Sequence, residues 1–385
     1  MKLKALTIAL VSSGMLFSGT AAAGEFSFGG YARYGATYQG SEDALYVGPA
    51  GELNGRSAGR LGNEYNGGEF QFNYHTEAAS GAKWQVGVML DHWTAYDWWS
   101  SGDVALKKAF AAGTGIFASQ PDMTVWAGRR FHQRPQTNLM DYFWMSHDGQ
   151  GGGFDNLDLG GAKLNIGVVG QVDCGSHPDP DVNGVGCHGN DSGVYALTSK
   201  LHGITMGSAT LDLYANYGFA SEAQPDNSTN AYQLAANLKM FGHSLVVRYS
   251  DNAKDSVFDL AEDREALFVH LEGGFSFSDT AGMDYGIGYQ DMDKEATNYN
   301  VVVRPHISWN DTHSTWLEAG YSVVDVEGQS KDNEAWKLTL SQNMAVGPHT
   351  WSRPMLRFYA TVGENDNAGD KQDVFTLGAM WEAWW

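Results

Sequence analysis

Long hydrophobic runs are nearly absent from this sequence of 385 residues. After residue 23, no stretch reaches the roughly 18 consecutive apolar residues that a membrane-spanning helix needs. Proline is scarce, at 9 residues, and no Pro- or Ser-rich linker divides the chain. A helical membrane protein and a string of linked soluble domains are both disfavoured, so we expect residues 24–385 to form a single domain.

Positive charge is also in short supply. The chain has 24 Lys and Arg residues against 45 Asp and Glu residues, a formal net charge of −21. This balance argues against a nucleic-acid partner. No Gly-x-Ser-x-Gly motif occurs, and no local pattern singles out a nucleophile. We therefore expect neither an enzyme nor a cofactor.

The first 23 residues have the composition of a secretory signal peptide. Lys2 and Lys4 form a basic start, residues 5–17 are mostly apolar, and three alanines end at Ala23 before Gly24. This order of basic, apolar and small residues is typical of a cleaved export signal. The segment 1–23 is therefore left out of the fold prediction.

Cysteine is limited to Cys174 and Cys187, which flank a loop-like stretch rich in Gly, Pro and Asp. In an exported protein such a pair predicts a disulfide that staples a surface loop. His177 and His188 lie close enough in sequence to suggest a metal site with the two sulfurs. The spacing matches no zinc pattern, however, and export favours oxidation over thiolate ligation, so no metal site is expected.

What the chain does contain is glycine, at 48 residues, aromatic residues, at 13%, and segments that alternate with a period of two. In the last segment, Phe375, Leu377, Trp381 and Trp385 share one face of a strand, while Thr376 and Glu382 share the other. The same alternation recurs in residues 84–91, 163–172, 301–309 and 356–362. An oily face on every strand suits lipid, and closure of a barrel removes the free edges.

The pattern therefore predicts an all-β, antiparallel transmembrane barrel in the bacterial outer membrane. About seventeen strand-like segments can be recognised, and because an antiparallel barrel with both termini on one side needs an even number, sixteen or eighteen strands are expected. Either number encloses an aqueous lumen. A soluble β-sandwich is the alternative, but the Trp and Tyr residues near strand ends are typical of membrane girdles.

Several motifs carry a resemblance to a known family. They run in order along the chain: residues 30–33, 60–64, 126–134, 289–291, 351–354 and the terminal Trp384-Trp385. These stretches resemble the maltoporins, the sugar-specific outer-membrane porins. The resemblance implies an eighteen-stranded barrel, a homotrimer, and one channel per subunit narrowed by an inward-folded loop. It also implies passive diffusion of maltose- or maltodextrin-like oligosaccharides along a row of aromatic side chains.

Carried over residue by residue, the resemblance implies two sets of sugar-binding side chains. The aromatic slide consists of Tyr31, Trp98, Trp351, Trp384 and Phe143. The polar track consists of Arg33, Arg60, Glu69, Lys107, Arg134 and Asp141. Trp98 matches a loop residue donated across the subunit interface, a role for which Trp93 and Trp99 are alternatives.

This sequence also departs from the family pattern. Lys107 replaces an arginine, and Phe143 replaces a tyrosine, so its hydroxyl is missing. Pro135, Gln136 and Asn138 stand where the constriction loop has His or Asp. No aromatic residue aligns between Gly67 and Glu69, and the phenylalanine of the mid-barrel falls near Tyr232 or Gln233.

Three other functions fit parts of the pattern. A general porin whose acidic interior favours cations would conduct ions without being blocked by sugars. An outer-membrane hydrolase would need a Ser/His/acid constellation on the outer strands or rim. A secreted lectin would share the aromatic side chains but would dissolve without detergent.

Overall fold

The computed structural model describes residues 24–41, 43–94, 104–172, 191–222 and 228–385. The predicted signal peptide, Trp98 and the predicted Cys174–Cys187 disulfide lie outside these residues, and so do His177 and His188. No helix within the described ranges has the length and apolarity to span a membrane.

Eighteen antiparallel strands form one closed sheet. The first half of the wall comprises β1 (Glu25–Gln39), β2 (Asn66–Glu77), β3 (Lys83–Thr94), β4 (Ala105–Thr114), β5 (Thr124–Arg130), β8 (Gly149–Asp158), β9 (Lys163–Val172), β10 (Gly193–Met206) and β11 (Ala209–Ala220). The second half comprises β12 (Asn230–Met240), β13 (His243–Asp251), β14 (Glu265–Ser276), β15 (Ala281–Met292), β16 (Ala296–Ser308), β17 (His313–Val326), β18 (Asn333–Ala345), β19 (Met355–Asn367) and β20 (Asp370–Trp384). Two short strands, β6 (Gln136–Thr137) and β7 (Tyr142–Phe143), form a separate hairpin.

Each wall strand pairs with its neighbours in the chain, and β1 pairs with β20 to close the ring, with Tyr31 opposite Trp384. The prediction of an all-β barrel is confirmed. Of the two strand numbers expected, eighteen is correct. The soluble sandwich is wrong, because all eighteen wall strands belong to one sheet that closes on itself, whereas a sandwich consists of two open sheets packed face to face.

The closing strand β20 has the two faces that its sequence predicted. Phe375, Leu377 and Trp381 are exposed on the outside, whereas Thr376 and Glu382 are buried toward the lumen. Large exposed apolar side chains recur on most strands of the barrel. The outer wall is therefore suited to lipid, and the polar side chains line the interior.

The two ends of the barrel differ in the length of their connections. At one end are turns such as residues 207–208 between β10 and β11, and at the other are the long segments 40–65, 131–148 and 252–264. All three segments make hydrogen bonds with lumen-facing side chains of the wall. The sequence predicted one inward-folded loop, which is segment 131–148. Segments 40–65 and 252–264 are additions that residue patterning did not reveal.

A buried ion pair anchors segment 40–65 to the wall. Lys337 on β18 donates to Glu318 on β17 at 2.8 Å and to the carbonyl oxygens of Gly59 at 2.5 Å and Leu61 at 2.7 Å. The Leu61 amide donates to Glu318 at 2.9 Å. Gly59 has φ +97°, and a side chain there would collide with the Glu318 carboxylate. The pair therefore holds the backbone on both sides of Arg60.

Segment 131–148 lies with an apolar side against the wall of β11–β16. Leu139, Met140, Trp144 and Met145 pack there with wall residues such as Phe268. Segment 252–264 supports this loop from the other side. Its Asp255 accepts hydrogen bonds from the Tyr142 hydroxyl and from Arg248 on β13. The loop is thus fixed by apolar packing and by a charge pair whose arginine is fully buried.

Lys337→Met tests the anchor of segment 40–65. Without the Lys337 ammonium group, the buried Glu318 carboxylate loses one of the two cations that compensate for its lost hydration. The other cation, Arg304, still contacts it at 2.5 Å. We expect the variant to lose about 3–5 kcal/mol of stability against urea in detergent or lipid.

The control is Lys371→Met, at the rim, where the lysine side chain is 62% exposed. We expect the urea midpoint of this variant to stay close to that of the wild type, because surface ion pairs contribute little to stability. Equal urea midpoints for the two variants would contradict the proposed anchor.

Candidate functional site

Four aromatic rings from the two ends of the chain follow one another along the lumen. The centroid of Tyr31 on β1 lies 6.1 Å from that of Trp93 on β3 and 6.5 Å from that of Trp384 on β20. Trp351, in the turn before β19, lies 6.2 Å from Trp384. The ring planes of the first two pairs are inclined by only 26° and 23°. The result is a row of rings, Trp93–Tyr31–Trp384–Trp351, here called the aromatic row.

The Trp93 ring fills the space that a side chain on the neighbouring strand β2 would occupy. Gly67 on β2 is the cross-strand partner of Trp93. A methyl group on Gly67 would come within 2.5 Å of the Trp93 ring. Glycine at this position therefore gives the indole the space that an aromatic residue on β2 would otherwise fill. The Trp93 ring therefore explains why position 67 has no side chain.

The carboxylate of Glu382 lies between the aromatic row and a group of arginines. It accepts hydrogen bonds from the Tyr31 hydroxyl at 2.7 Å and from Arg60 at 2.6 Å. Its second oxygen accepts from Arg353 at 2.7 Å and from Arg357 at 3.0 Å. Arg353 also lies over the Trp384 ring, 4.6 Å from its centroid. One buried acid thus sets the positions of both rings and cations.

Loop residues supply the polar side of the site. Asp141, in the turn of the β6–β7 hairpin, forms an ion pair with Arg33 of β1 at 2.8 Å. Burial acts to raise the pKa of Asp141, but the guanidinium groups of Arg60 and Arg33 hold it below its usual value. Burial acts to lower the pKa of Arg60, but Glu382 and Asp141 hold it well above the usual range. Both groups are therefore charged at neutral pH.

Arg134 lies between two aromatic rings of its own loop. Its guanidinium carbon is 4.0 Å from the centroid of Phe131 and 3.9 Å from that of Phe143. Its nitrogens contact Glu69 on β2 at 3.3 Å and Asp148 at 3.2 Å. Stacking and pairing leave this cation little freedom, so it presents a defined donor to the lumen.

A β-bulge brings two consecutive lysines toward the lumen. The pairing of β3 with β4 shifts so that Lys107 has no partner opposite it, whereas Lys108 pairs with Met89. Lys107 contacts Asp91 at 3.5 Å, and Lys108 donates to Gln71 at 2.9 Å. Strict alternation would send one of the two lysines outward, so the bulge is what makes both available.

One cavity of about 780 Å³, here called the slide cavity, brings these side chains together. Of the predicted slide and track residues, every one within the described ranges lines it: Tyr31, Trp351, Trp384, Phe143, Arg33, Arg60, Glu69, Lys107, Arg134 and Asp141. Sequence reasoning placed Gln136 and Asn138, which also line the cavity, in the constriction loop without naming them as sugar-binding. It assigned no role to four further lining residues: Asp91, Phe131, Arg353 and Glu382. Glu382 was detectable in principle, because it precedes Trp384 by two residues on the same strand face.

The two residues considered for the mid-barrel ring lie outside this cavity. Tyr232 is 52% exposed on the outer wall. Gln233 is fully buried and donates to the carbonyl oxygen of Asp255, so it helps to hold segment 252–264. Neither supplies a ring to the lumen at this point. The four members of the aromatic row are contributed by strands and a turn near the closure of the barrel.

Two buried histidines secure segment 131–148 at its ends. His132 contacts the Thr198 hydroxyl at 2.6 Å, and the Val257 amide donates to Nε2 of His147 at 3.2 Å. Burial, together with Arg130, lowers the pKa of His132 to about 3. Burial, with His132 and Arg248 nearby, lowers the pKa of His147 to about 3. Both rings are therefore neutral at physiological pH.

Comparison with known proteins identifies relatives along the whole chain. The family model described as LamB porin matches residues 26–385. A maltoporin of Vibrio cholerae serotype O1, strain El Tor Inaba, is 29% identical, and the match covers 99% of this chain and 100% of that protein. A second maltoporin, from a Classical Ogawa strain of the same species, is also 29% identical and covers 99% of each chain.

Solved structures resemble the barrel itself. Pseudomonas aeruginosa OccK5 (OpdH) has a TM-score of 0.53 at 11% identity, with 94% of this chain and 97% of that chain covered. Acinetobacter baumannii OccAB4 has a TM-score of 0.52 at 10% identity, with 95% of this chain and 99% of that chain covered. At such low identity the likeness concerns the fold alone.

Acidification tests the neutral histidines of segment 131–148. Folding lowers the pKa of His147 from 6.5 to about 3. Above pH 6.5 the ring is neutral in both the folded and the unfolded chain, so it makes the stability no more dependent on pH there. As the pH falls below that value, the unfolded chain takes up the proton first, and stability drops by roughly 1.4 kcal/mol per pH unit for each such histidine.

His147→Gln keeps an acceptor for the Val257 amide but does not titrate. We expect the urea midpoint of this variant to fall less steeply between pH 6.5 and 4 than that of the wild type. His349→Gln, in the exposed turn before β19, is the matched control and is expected to follow the wild type. Parallel curves for all three proteins would contradict the assignment.

Proposed function

The chain belongs to the LamB porin family, and on that premise we propose that it conducts maltose- or maltodextrin-like oligosaccharides through the outer membrane by passive facilitated diffusion. The observation that carries the proposal is the aromatic row beside the buried charges grouped around Glu382. The mechanism needs no covalent chemistry and no cofactor. The relatives named as maltoporins support the sugar specificity.

The chemistry of a sugar ring matches this arrangement. A pyranose has apolar C–H faces, which lie against aromatic rings, and hydroxyl groups at its edge, which need fixed donors and acceptors. In the proposed mechanism Trp93, Tyr31, Trp384 and Trp351 contact the ring faces in succession. Because neighbouring rings are about 6 Å apart, a sugar unit can leave one ring as it reaches the next. Each site therefore binds the sugar without holding it so tightly that transport stops.

The charged side chains are proposed to contact the hydroxyl groups. Arg33, Arg60, Lys107 and Arg134 act as donors, and Glu69 and Asp141 act as acceptors. Each cation is paired with an acid at 3.5 Å or less. The ion pairs keep these side chains in position when a sugar hydroxyl replaces a water molecule. The entropy cost of orienting the side chains is therefore met once, on folding, and not each time a sugar passes.

The runner-up function is a general porin that favours cations. The whole chain is acidic, but the slide cavity is not. It is lined by five cationic side chains and four acidic ones: Arg33, Arg60, Lys107, Arg134 and Arg353 against Glu69, Asp91, Asp141 and Glu382. This local balance favours neutral, hydroxyl-rich solutes over selection of cations.

The proposed assembly is a homotrimer in the outer membrane, with lipid around the remaining outer wall. In the family pattern Trp98 reaches a neighbouring subunit's channel, and we retain this role for Trp98 as part of the proposal. Trp93 then adds a ring from the subunit's own β3. The aromatic row of this protein would thus begin with a residue that does not depend on the neighbour.

A planar-bilayer titration with maltodextrins, sucrose and a non-sugar osmolyte tests the function. We expect maltodextrins to block the ion current in a saturable manner and the osmolyte to leave it unchanged. Conductance that no sugar blocks would favour the general porin.

Trp93→Ala and Trp384→Ala test the aromatic row. Each substitution removes one stacking face, and we expect maltodextrin to bind about five- to tenfold more weakly, equivalent to about 1–1.4 kcal/mol. The measurement is sugar-induced current block. Trp336→Ala, on the outer face of β18 and 46% exposed, is the matched control and is expected to bind like the wild type. If sugar blocks the current of the first two variants at the same concentrations as for the wild type, Trp93 and Trp384 do not contact the sugar.

Phe143→Tyr tests the constriction. A hydroxyl on this ring, which already stacks on Arg134, offers one further hydrogen bond to a passing sugar. We expect oligosaccharide block to tighten about two- to tenfold, the value of one net hydrogen bond. Phe358→Tyr adds the same hydroxyl to the exposed outer face of β19 and serves as the control. An unchanged affinity and unchanged block kinetics would mean that Phe143 does not contact the sugar.

A further inference from the structure

Cations and aromatic rings alternate in a stack that runs from the wall into segment 131–148. Nζ of Lys108 on β4 lies 4.2 Å from the centroid of Phe131, and the guanidinium carbon of Arg134 lies 4.0 Å from the same centroid. That carbon is in turn 3.9 Å from the centroid of Phe143. Two cations cannot lie over one face of a ring at these distances, so Lys108 and Arg134 cover opposite faces of Phe131. The four side chains are here called the cation–ring stack.

Hydrogen bonds on the wall fix the first member of the cation–ring stack. The bulge on β4 puts Lys108 opposite Met89 on β3, and Met89 is opposite Gln71 on β2. The ammonium group of Lys108 donates to the Gln71 side-chain oxygen at 2.9 Å. The Gln71 amide group donates to Asn73 at 2.8 Å and is thereby held in place. The lysine therefore reaches across β3 to a fixed acceptor, and its charge stays at a defined point of the wall.

The other three members of the stack reach the slide cavity. Phe131, Arg134 and Phe143 line that cavity, whereas Lys108 does not. The side chains of Phe131 and Phe143 have no hydrogen-bonding group, so their rings are oriented by packing and by the cations that cover their faces. A change at Lys108 is therefore transmitted through Phe131 to side chains that face the lumen.

We infer that Lys108 is a positioning residue of the sugar path, which fixes the ring of Phe131 and, through that ring, the guanidinium group of Arg134. The ring of Phe143 then follows Arg134. The inference rests on the proposed sugar conduction and adds a residue that controls the affinity of the slide cavity without contact with the sugar. It also gives the bulge on β4 a second purpose, because the bulge allows Lys107 to line the cavity while Lys108 holds the stack.

Lys108→Met tests this role. Methionine keeps an unbranched side chain but removes the cation from the face of Phe131. The hydrogen-bond partner of Lys108 is the neutral amide of Gln71 and not a carboxylate, so we expect the variant to fold. In planar-bilayer titrations we expect maltodextrin to block the current about three- to tenfold more weakly than in the wild type, the effect of one cation–ring contact.

Two further variants separate the position of the stack from the loss of a charge. Lys108→Arg restores a cation that can lie over the Phe131 ring, and we expect sugar block within about twofold of the wild type. Lys200→Met is the matched control, because Nζ of Lys200 on β10 lies 5.2 Å from the centroid of Tyr214 and neither residue lines the slide cavity. This substitution removes one positive charge and one cation–ring contact elsewhere, and we expect block to be unchanged.

A double-mutant cycle with Phe131→Leu shows whether Lys108 acts through the ring. Leucine offers no ring face to the cation, so Lys108→Met is expected to weaken block no further once Phe131→Leu is present. If Lys108→Met weakens block equally in both backgrounds, the lysine acts by its charge at a distance, and the inference is overturned.

The outcomes distinguish this inference from the function on which it rests. If no sugar blocks the wild-type channel, the proposed function is wrong, and the open-channel conductance in KCl then tests the stack. Lys108→Met is expected to change that conductance, whereas Lys108→Arg and Lys200→Met are expected to match the wild type; equal conductance in all four proteins would overturn the positioning role. If sugar blocks the wild type and Lys108→Met equally, or if Lys108→Arg fails to restore block, only the positioning role is overturned.

Discussion

The buried carboxylate of Glu382 is the interaction on which the channel lining depends. Three arginines and the Tyr31 hydroxyl donate to it, and these donors come from β1, from segment 40–65, from the turn before β19 and from β19 itself. A carboxylate excluded from water at this position is stable only because these donors compensate for the lost hydration. The same contacts fix the rings on either side of it, so aromatic and charged features of the lining have one structural origin.

The interior of the barrel is built on the same principle. An eighteen-stranded wall encloses more space than its own side chains can fill, and three inward segments occupy part of it. Apolar residues of these segments pack against the wall. Ion pairs that include buried wall residues, such as Lys337–Glu318 and Arg248–Asp255, hold the segments in place. The slide cavity is part of the space that remains, and Glu272 holds Asn138 in its lining.

Much of the site was predictable from linear motifs, but the reasons for its geometry were not. The segments around Tyr31, Arg134 and Trp384 resemble the family closely enough to predict their place in the lumen, and these residues do line one cavity. Trp93 was only one of several alternatives for an interface residue. Its position depends on Gly67, a cross-strand neighbour 26 residues away, because the indole fits only where β2 has no side chain. Lys107 likewise reaches the cavity through a bulge, which a simple two-residue period cannot reveal.

The sequence by itself determined the barrel, its location in the outer membrane and the two faces of its strands, because a period of two assigns each side chain to lipid or lumen before any strand has found its partner. Only the tertiary structure decided which lumen-facing residues meet. Tyr31 and Trp384 become neighbours through ring closure, and Arg60 reaches Glu382 because segment 40–65 folds inward. Contacts of this kind join residues more than 300 positions apart, and their distances follow from closure and loop packing, which local pattern does not encode.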